Sequence, residues 1–137
     1  MQLIFATNNN NKVIEIRNAL GDTFKVISLK EAGIDKDIPE PHDTLEANAT
    51  EKSRTIYEIT GIDCFSEDTG LEVEALNGAP GVISARYAGE NASYQDNVEK
   101  LLKEMSGKEN RKARFRTVIS LIINGNETQF EGICTGR

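Results

Sequence analysis

The stretch Phe65-Ser66-Glu67-Asp68-Thr69-Gly70-Leu71 constrains this chain more than any other. Residues 62–65 are a short apolar run that reads as a buried strand. The run meets two adjacent carboxylates, then Thr69 and Gly70. Beyond them Leu71, Val73 and Ala75 alternate with Glu72 and Glu74, the period of a half-buried strand. Two acids at the end of a buried strand cost free energy unless something neutralises them. A divalent metal such as Mg2+ does so, because hard cations take carboxylate oxygens and carry substrate phosphates. The plain alternative is a polar turn between two strands, with both acids in water.

A chain of 137 residues is one domain, long enough to bury a core. No apolar run reaches membrane-spanning length, and strand-like sequence follows Met1 directly, so no membrane and no secretory leader are expected. Cys64 and Cys134 both lie in apolar strand-like runs. The economical expectation is two buried free thiols in a reducing cytosol rather than a disulfide. Two cysteines and one histidine in separate segments give no zinc spacing. The net charge of -6 argues against nucleic-acid backbone binding, which needs a basic face, but leaves room for a nucleotide.

Leu3, Ile4 and Phe5 make a first short strand. Ala6-Thr7-Asn8-Asn9-Asn10-Asn11-Lys12 follows, then a helix with Val13, Ile16 and Leu20 on one face and Gly21 as its stop. A polar loop between a strand and a helix N-terminus offers backbone N–H groups, a hydroxyl, side-chain amides and the Lys12 ammonium, all suited to phosphate oxygens. It is not a P-loop, having no glycine. The alternative is that one asparagine caps the helix and the others fill a turn. A second strand covers residues 24–28. In the loop Ile38-Pro39-Glu40-Pro41-His42-Asp43 the prolines exclude helix and hold Glu40, a third carboxylate for a metal or an ordinary loop acid. His42 reads as solvent-facing. A helix then starts at Asp43 or Thr44, with Asp43 and Glu46 at capping-box spacing. Its stripe is Leu45, Ala49, Ile56 and Ile59, its stop is Gly61, and Lys52 and Arg54 read as solvated.

Residues 76–82 are turn chemistry. Arg86 and Tyr87 pair an anion donor with a ring, or else knit a loop to the fold. Ser93 begins a helix with Val98, Leu101, Leu102 and Met105 on its apolar face and Gly107 as its stop. Residues 111–116 are a basic cluster. Residues 118–123 form a strand covered on both faces, Asn124-Gly125 a hairpin turn, and residues 128–134 the returning strand. The order predicts an α/β fold, a mixed sheet flanked by helices.

These residues carry a resemblance. The loop at residues 6–12 resembles the Thr-Gly-Asn-x-x-Lys entry loop of the inosine triphosphate pyrophosphatase family, hydrolases of non-canonical purine nucleoside triphosphates. Thr44-Leu45-Glu46-Ala47-Asn48-Ala49 with Lys52 is similar to its second motif. Glu67-Asp68-Thr69-Gly70-Leu71 is similar to its Asp-Asp-Ser/Thr-Gly-Leu motif, and residues 76–89 to its most specific run. The resemblance covers the whole chain in order. Glu67 stands where the family has its first aspartate, and Asn8 where it has a glycine. Family members continue through Phe-Gly-Tyr-Asp-Pro and Ser-His-Arg segments that help to hold the base; this chain has neither, so residues 1–137 are expected to be a single, C-terminally incomplete domain or a degenerate member, and base-selecting residues stay unassigned.

The resemblance implies an architecture related to the Maf and anticodon-binding-like folds. It implies hydrolysis of ITP, dITP or XTP to the monophosphate and pyrophosphate. Thr7, Asn8, Asn9, Asn10, Asn11, Lys12, Thr69 and Arg86 would bind substrate. Asp68 and Glu40 would hold Mg2+, and Asp68 or a neighbouring carboxylate would orient or deprotonate the attacking water, a role in which Glu67 would share. It further implies a cytoplasmic homodimer. The rival readings are a Maf-like pyrophosphatase for other nucleotides, a catalytically inactive nucleotide-binding domain, and a purely structural origin for every polar run.

Overall fold

The computed structural model describes residues 2–137. It is an α/β protein. The strands are β1 (Gln2–Phe5), β2 (Lys25–Ser28), β3 (Cys64–Val73), β4 (Pro80–Gly81), β5 (Ala113–Ile123) and β6 (Asn126–Gly136). The helices are α1 (Asn10–Leu20), α2 (Leu45–Thr60) and α3 (Tyr94–Glu104), with short 3-10 turns at Glu74–Leu76 and Ser84–Arg86. The sheet order is β2-β1-β3-β5-β6, with β4 paired to β3. β1 runs parallel to β2 and to β3, and β4 runs antiparallel to β3, so the sheet is mixed. No helix among the described residues is long and apolar enough to cross a membrane.

The chain forms two compact units, Met1–Glu67 with Ile119–Phe130, and Asp68–Val118 with Glu131–Arg137. In the first unit β1 is buried on both faces because its alternate side chains feed two cores. Leu3 and Phe5 join Val13 of α1, Val26 and Phe65 on one side. Ile4 and Ala6 join Ile56 of α2, Leu29, Cys64 and Ile122 on the other. Phe5 and Phe65 stack with ring centroids 4.4 Å apart, worth about 1 kcal/mol beyond their burial.

The central stretch departs from expectation. Instead of two strands around an acidic turn, residues 64–73 are one uninterrupted strand with both acids inside it. Ser66, Glu67 and Thr69 bond without leaving the strand. Ser66 Oγ donates to the Ala49 carbonyl at 2.5 Å, and Lys52 Nζ donates to the Glu67 carbonyl at 2.5 Å. In the second unit the hydroxyls of Thr69 and Thr117 lie 2.8 Å apart. Gly70 admits β4: a Cβ there would stand 2.5 Å from the Gly81 carbonyl oxygen. The expected alternation therefore ends at Val73, where the chain turns into 3-10 geometry rather than running on to Ala75.

Other expectations are corrected at the helix ends and edges. The N-cap of α2 is Thr44, whose hydroxyl accepts from the Ala47 N–H, rather than an Asp43–Glu46 box. Its buried stripe is Leu45, Asn48, Ala49, Lys52, Ser53 and Ile56, while Ile59 is exposed. Lys52 is thus not solvated, and Arg54 lies 3.6 Å from Glu127. Both cysteines are free, but only Cys64 is buried. Cys134 is exposed on β6, the terminal strand of the sheet order. The hairpin at Asn124-Gly125 has positive φ at both positions, as the sequence predicts.

Candidate active site

The first unit brings Lys12, Glu67, Lys52 and Glu40 into one bonded set. Parallel β1 delivers residues 6–9, and Asn9 caps α1, its Oδ1 accepting from the N–H groups of Asn11 at 3.0 Å and Lys12 at 3.3 Å. The capping role considered for one asparagine thus falls to Asn9. Thr7 Oγ1 accepts from the Asn9 N–H at 3.1 Å, and Asn8 Nδ2 donates to Asp37 at 2.8 Å. Thr7, Asn8 and Asn10 border a cavity of about 440 Å3 completed by Ser28, Lys30 and Asp35. It opens beside the ends of parallel strands, where open α/β sheets bind ligands.

Lys12, in the first turn of α1, reaches the Glu67 carboxylate at 2.5 Å. Glu67 is in turn fixed through its carbonyl by Lys52, whose ammonium also donates to Glu40 Oε1 at 2.9 Å. Lys52 is 9% exposed, so its charge is compensated by these oxygens. Glu40 is presented by the proline-bearing loop, which Asn48 secures. Asn48 is fully buried, accepts from the His42 N–H at 2.9 Å and donates to the His42 carbonyl at 3.3 Å. The polar side chains of Ser53 and Ser120 lie 2.7 Å apart, and Glu127 accepts from Thr50 at 2.6 Å and Ser120 at 2.5 Å, so α2 is tied to the β5–β6 hairpin. Burial raises the proton affinity of Glu127, but the Ser120 and Thr50 hydroxyls and Arg54 outweigh it, and the net shift is downward.

Lys52 and Asn48 are the residues whose part was not legible as such. Their spacing carried a signal: both fall on the i, i+3, i+4, i+7 stripe that starts at Leu45.

The second unit holds Asp68, Thr69 and Arg86. Asp68 is buried at 6% exposure. Successive side chains of a strand point to opposite faces, so Asp68 continues the row of Cys64 and Ser66, and Glu67 the row of Phe65. The two carboxylates therefore do not converge on one point as a turn would allow. Arg86 ends the Ser84–Arg86 turn. That loop is docked on α3: Asn97 accepts from the Ala88 N–H at 2.9 Å and donates to the Ala85 carbonyl at 3.1 Å. Lys100 donates to the Tyr87 carbonyl at 2.9 Å and stands 4.3 Å from the Tyr87 ring centroid. Burial, then the charge of Glu104, pushes the Tyr87 hydroxyl up. The knitting role considered for this pair is therefore realised at Tyr87.

Among the described residues no group of three or more His, Cys, Asp or Glu side chains is arranged to hold a metal. The carboxylates of Glu40, in the first unit, and Asp68, in the second, each offer oxygen donors of the kind a hard cation such as Mg2+ takes. The Glu40 carboxylate already stabilises a positive charge, that of Lys52.

Fold and site define an α/β protein with a strand-to-helix polar loop and interleaved acid–lysine pairs. The Ham1 family model matches residues 3–137. A Flavobacterium psychrophilum protein named dITP/XTP pyrophosphatase is 52% identical over 137 residues, which cover 100% of this chain and 72% of that protein. The solved structure of the Staphylococcus aureus Ham1 protein superposes with a TM-score of 0.88 at 36% identity, covering 99% of this chain and 71% of that one. For a HAM1 protein from Coxiella burnetii the values are 0.90, 33%, 99% and 72%. The chain belongs to the Ham1 family.

Proposed function

We propose that this chain is a Mg2+-dependent nucleoside triphosphate pyrophosphatase that converts dITP, ITP and XTP to the monophosphate and pyrophosphate. Its enzyme class follows from the relatives that bear the name dITP/XTP pyrophosphatase. The observation that carries the reading is Lys12: a cation in the first turn of a helix, at the end of a polar loop, where a helix by itself favours anions.

Phosphate oxygens take the Lys12 ammonium and the donors of residues 7–11, with Thr69 and Arg86 as further donors. Water attacks the α-phosphorus, the bond from that phosphorus to the bridging oxygen breaks, and pyrophosphate leaves with that oxygen. Asp68 orients the water and accepts its proton. Asp68 and Glu40 would hold Mg2+, which supplies charge neutralisation on the phosphate oxygens. Most of the acceleration then comes from positioning and preorganised charge. Family resemblance also favours a cytoplasmic homodimer.

The test is pyrophosphate release from dITP, ITP, XTP and ATP, with Mg2+ and with chelator. Metal-dependent release that favours the first three is the expected result. Equal rates on ATP, or rates untouched by chelation, would overturn the substrate or the metal assignment respectively.

A further inference from the structure

We propose that Glu67 is the resident counter-ion of Lys12, a place-holder that keeps the ammonium aimed until phosphate oxygens displace it, so that this exchange sets how tightly the site grips triphosphate and pyrophosphate. The proposal rests on the phosphate-binding role given to Lys12 above. Three features support it.

The first is position. Lys12 is the third residue of α1, and the first turn of that helix contains no acid. A cation there opposes the helix dipole, so the helix gains nothing from a lysine at this point. Glu67 provides the missing negative charge from another element, at 2.5 Å.

The second is how Glu67 is held. Its carbonyl accepts from Lys52 at 2.5 Å, and Lys52 is anchored by Glu40 at 2.9 Å. The result is an alternating chain, Lys12–Glu67–Lys52–Glu40, of two cations and two anions. Lys12 is charge-compensated without a ligand, so an arriving polyanion has to replace the Glu67 carboxylate rather than fill an uncompensated positive hole.

The third is accessibility. The Lys12 side chain is 38% exposed and that of Glu67 18%. The ammonium can be approached from solvent while the carboxylate stays behind it. Strand alternation also separates Glu67 from Asp68, so the two adjacent acids serve different faces. Glu67 is thus a positioning residue acting through Lys12. When pyrophosphate departs, recapture of Lys12 by Glu67 favours its release.

The experiment is calorimetric binding of inorganic pyrophosphate, without metal and at fixed ionic strength. It compares the unmodified chain with Glu67→Gln, Lys12→Ala and the double variant. Thermal melts check that each folds. Glu67→Gln is expected to bind about fivefold tighter, the size of a partly exposed ion pair released. Lys12→Ala is expected to bind weakly, and the gain from Glu67→Gln is expected to vanish in its background. Glu67→Asp keeps the charge but withdraws it by one methylene; it should give a smaller gain and reads the same exchange if the glutamine variant fails to fold. Unchanged or weaker binding by Glu67→Gln overturns the proposal, as does an equal gain in the Lys12→Ala background, which would be a general field effect. Binding that depends on Lys12 but ignores residue 67 overturns the place-holder alone. No pyrophosphate binding by any of the proteins overturns the phosphate-loop reading and the proposal with it.

Discussion

Glu31 shows how a surface acid is drawn into the backbone of its neighbour. Its carboxylate accepts from the Ser28 N–H at 3.0 Å and from Arg17, which also donates to the Val26 carbonyl at 2.9 Å. The backbone bond from Ser28, then the Arg17 bond, lower its pKa from 4.5 to about 2. A folded-state pKa below the unfolded one means that the contribution is complete above the unfolded value and is lost as pH falls from 4.5 toward about 2. Replacing Glu31 by Gln should therefore lower the melting temperature at neutral pH, and the gap to the unmodified protein should close across that acid window. A gap that stays constant with pH would contradict the account. The acid-to-backbone bond spans only three residues and the Arg17 partner lies 14 away. Nothing in the hydropathy pattern marked either. Lys52 is a sharper case. Pattern reading counts a lysine as exposed, but burial is decided by partners, and here they are a carboxylate 12 residues back and a carbonyl 15 residues on. Cys64 and Cys134 look alike in sequence. Burial pushes the Cys64 thiol up to about 12, while Cys134 lies exposed on β6, the last strand in the sheet order of the described residues.

Strand β3 is where local pattern and tertiary contact disagreed most. The acids and Gly70 read as a break because the run of apolar residues stops there. The strand persists because Ser66 bonds to α2 and Thr69 to Thr117 of β5, and because Gly70 lets Pro80 and Gly81 pair with Glu72 and Leu71. Gly70 has ordinary strand geometry and is required for space, since the nearest atom to a Cβ would be a backbone oxygen that cannot swing away. Gly70→Ala is expected to cost about 3 kcal/mol and to lower the denaturant midpoint without changing its slope. A loss below about 0.5 kcal/mol would show that β4 does not pack as described. By contrast α1, the C-terminal stop of α2 at Gly61 and the β5–β6 hairpin were legible. Their signals are local: apolar spacing, a left-handed glycine and an Asn-Gly pair.

For the whole molecule, the α/β class was readable from the order of elements, and the family from motifs in register. The strand order was not, because β3, central in the sheet, looked like two short strands with a turn between them. The candidate site was legible as a set of residue types; what was hidden was its wiring, in which Glu67 is already paired with Lys12 and Glu40 with Lys52. The proposed hydrolysis requires Asp68 as the group that manages the attacking water. The deciding measurement is steady-state pyrophosphate release from dITP by Asp68→Asn beside the unmodified chain, with circular dichroism confirming an intact fold. The amide keeps the shape of the side chain and cannot accept the proton, so kcat should fall by at least about a hundredfold. A folded Asp68→Asn protein that releases pyrophosphate at a near-normal, metal-dependent rate would contradict it.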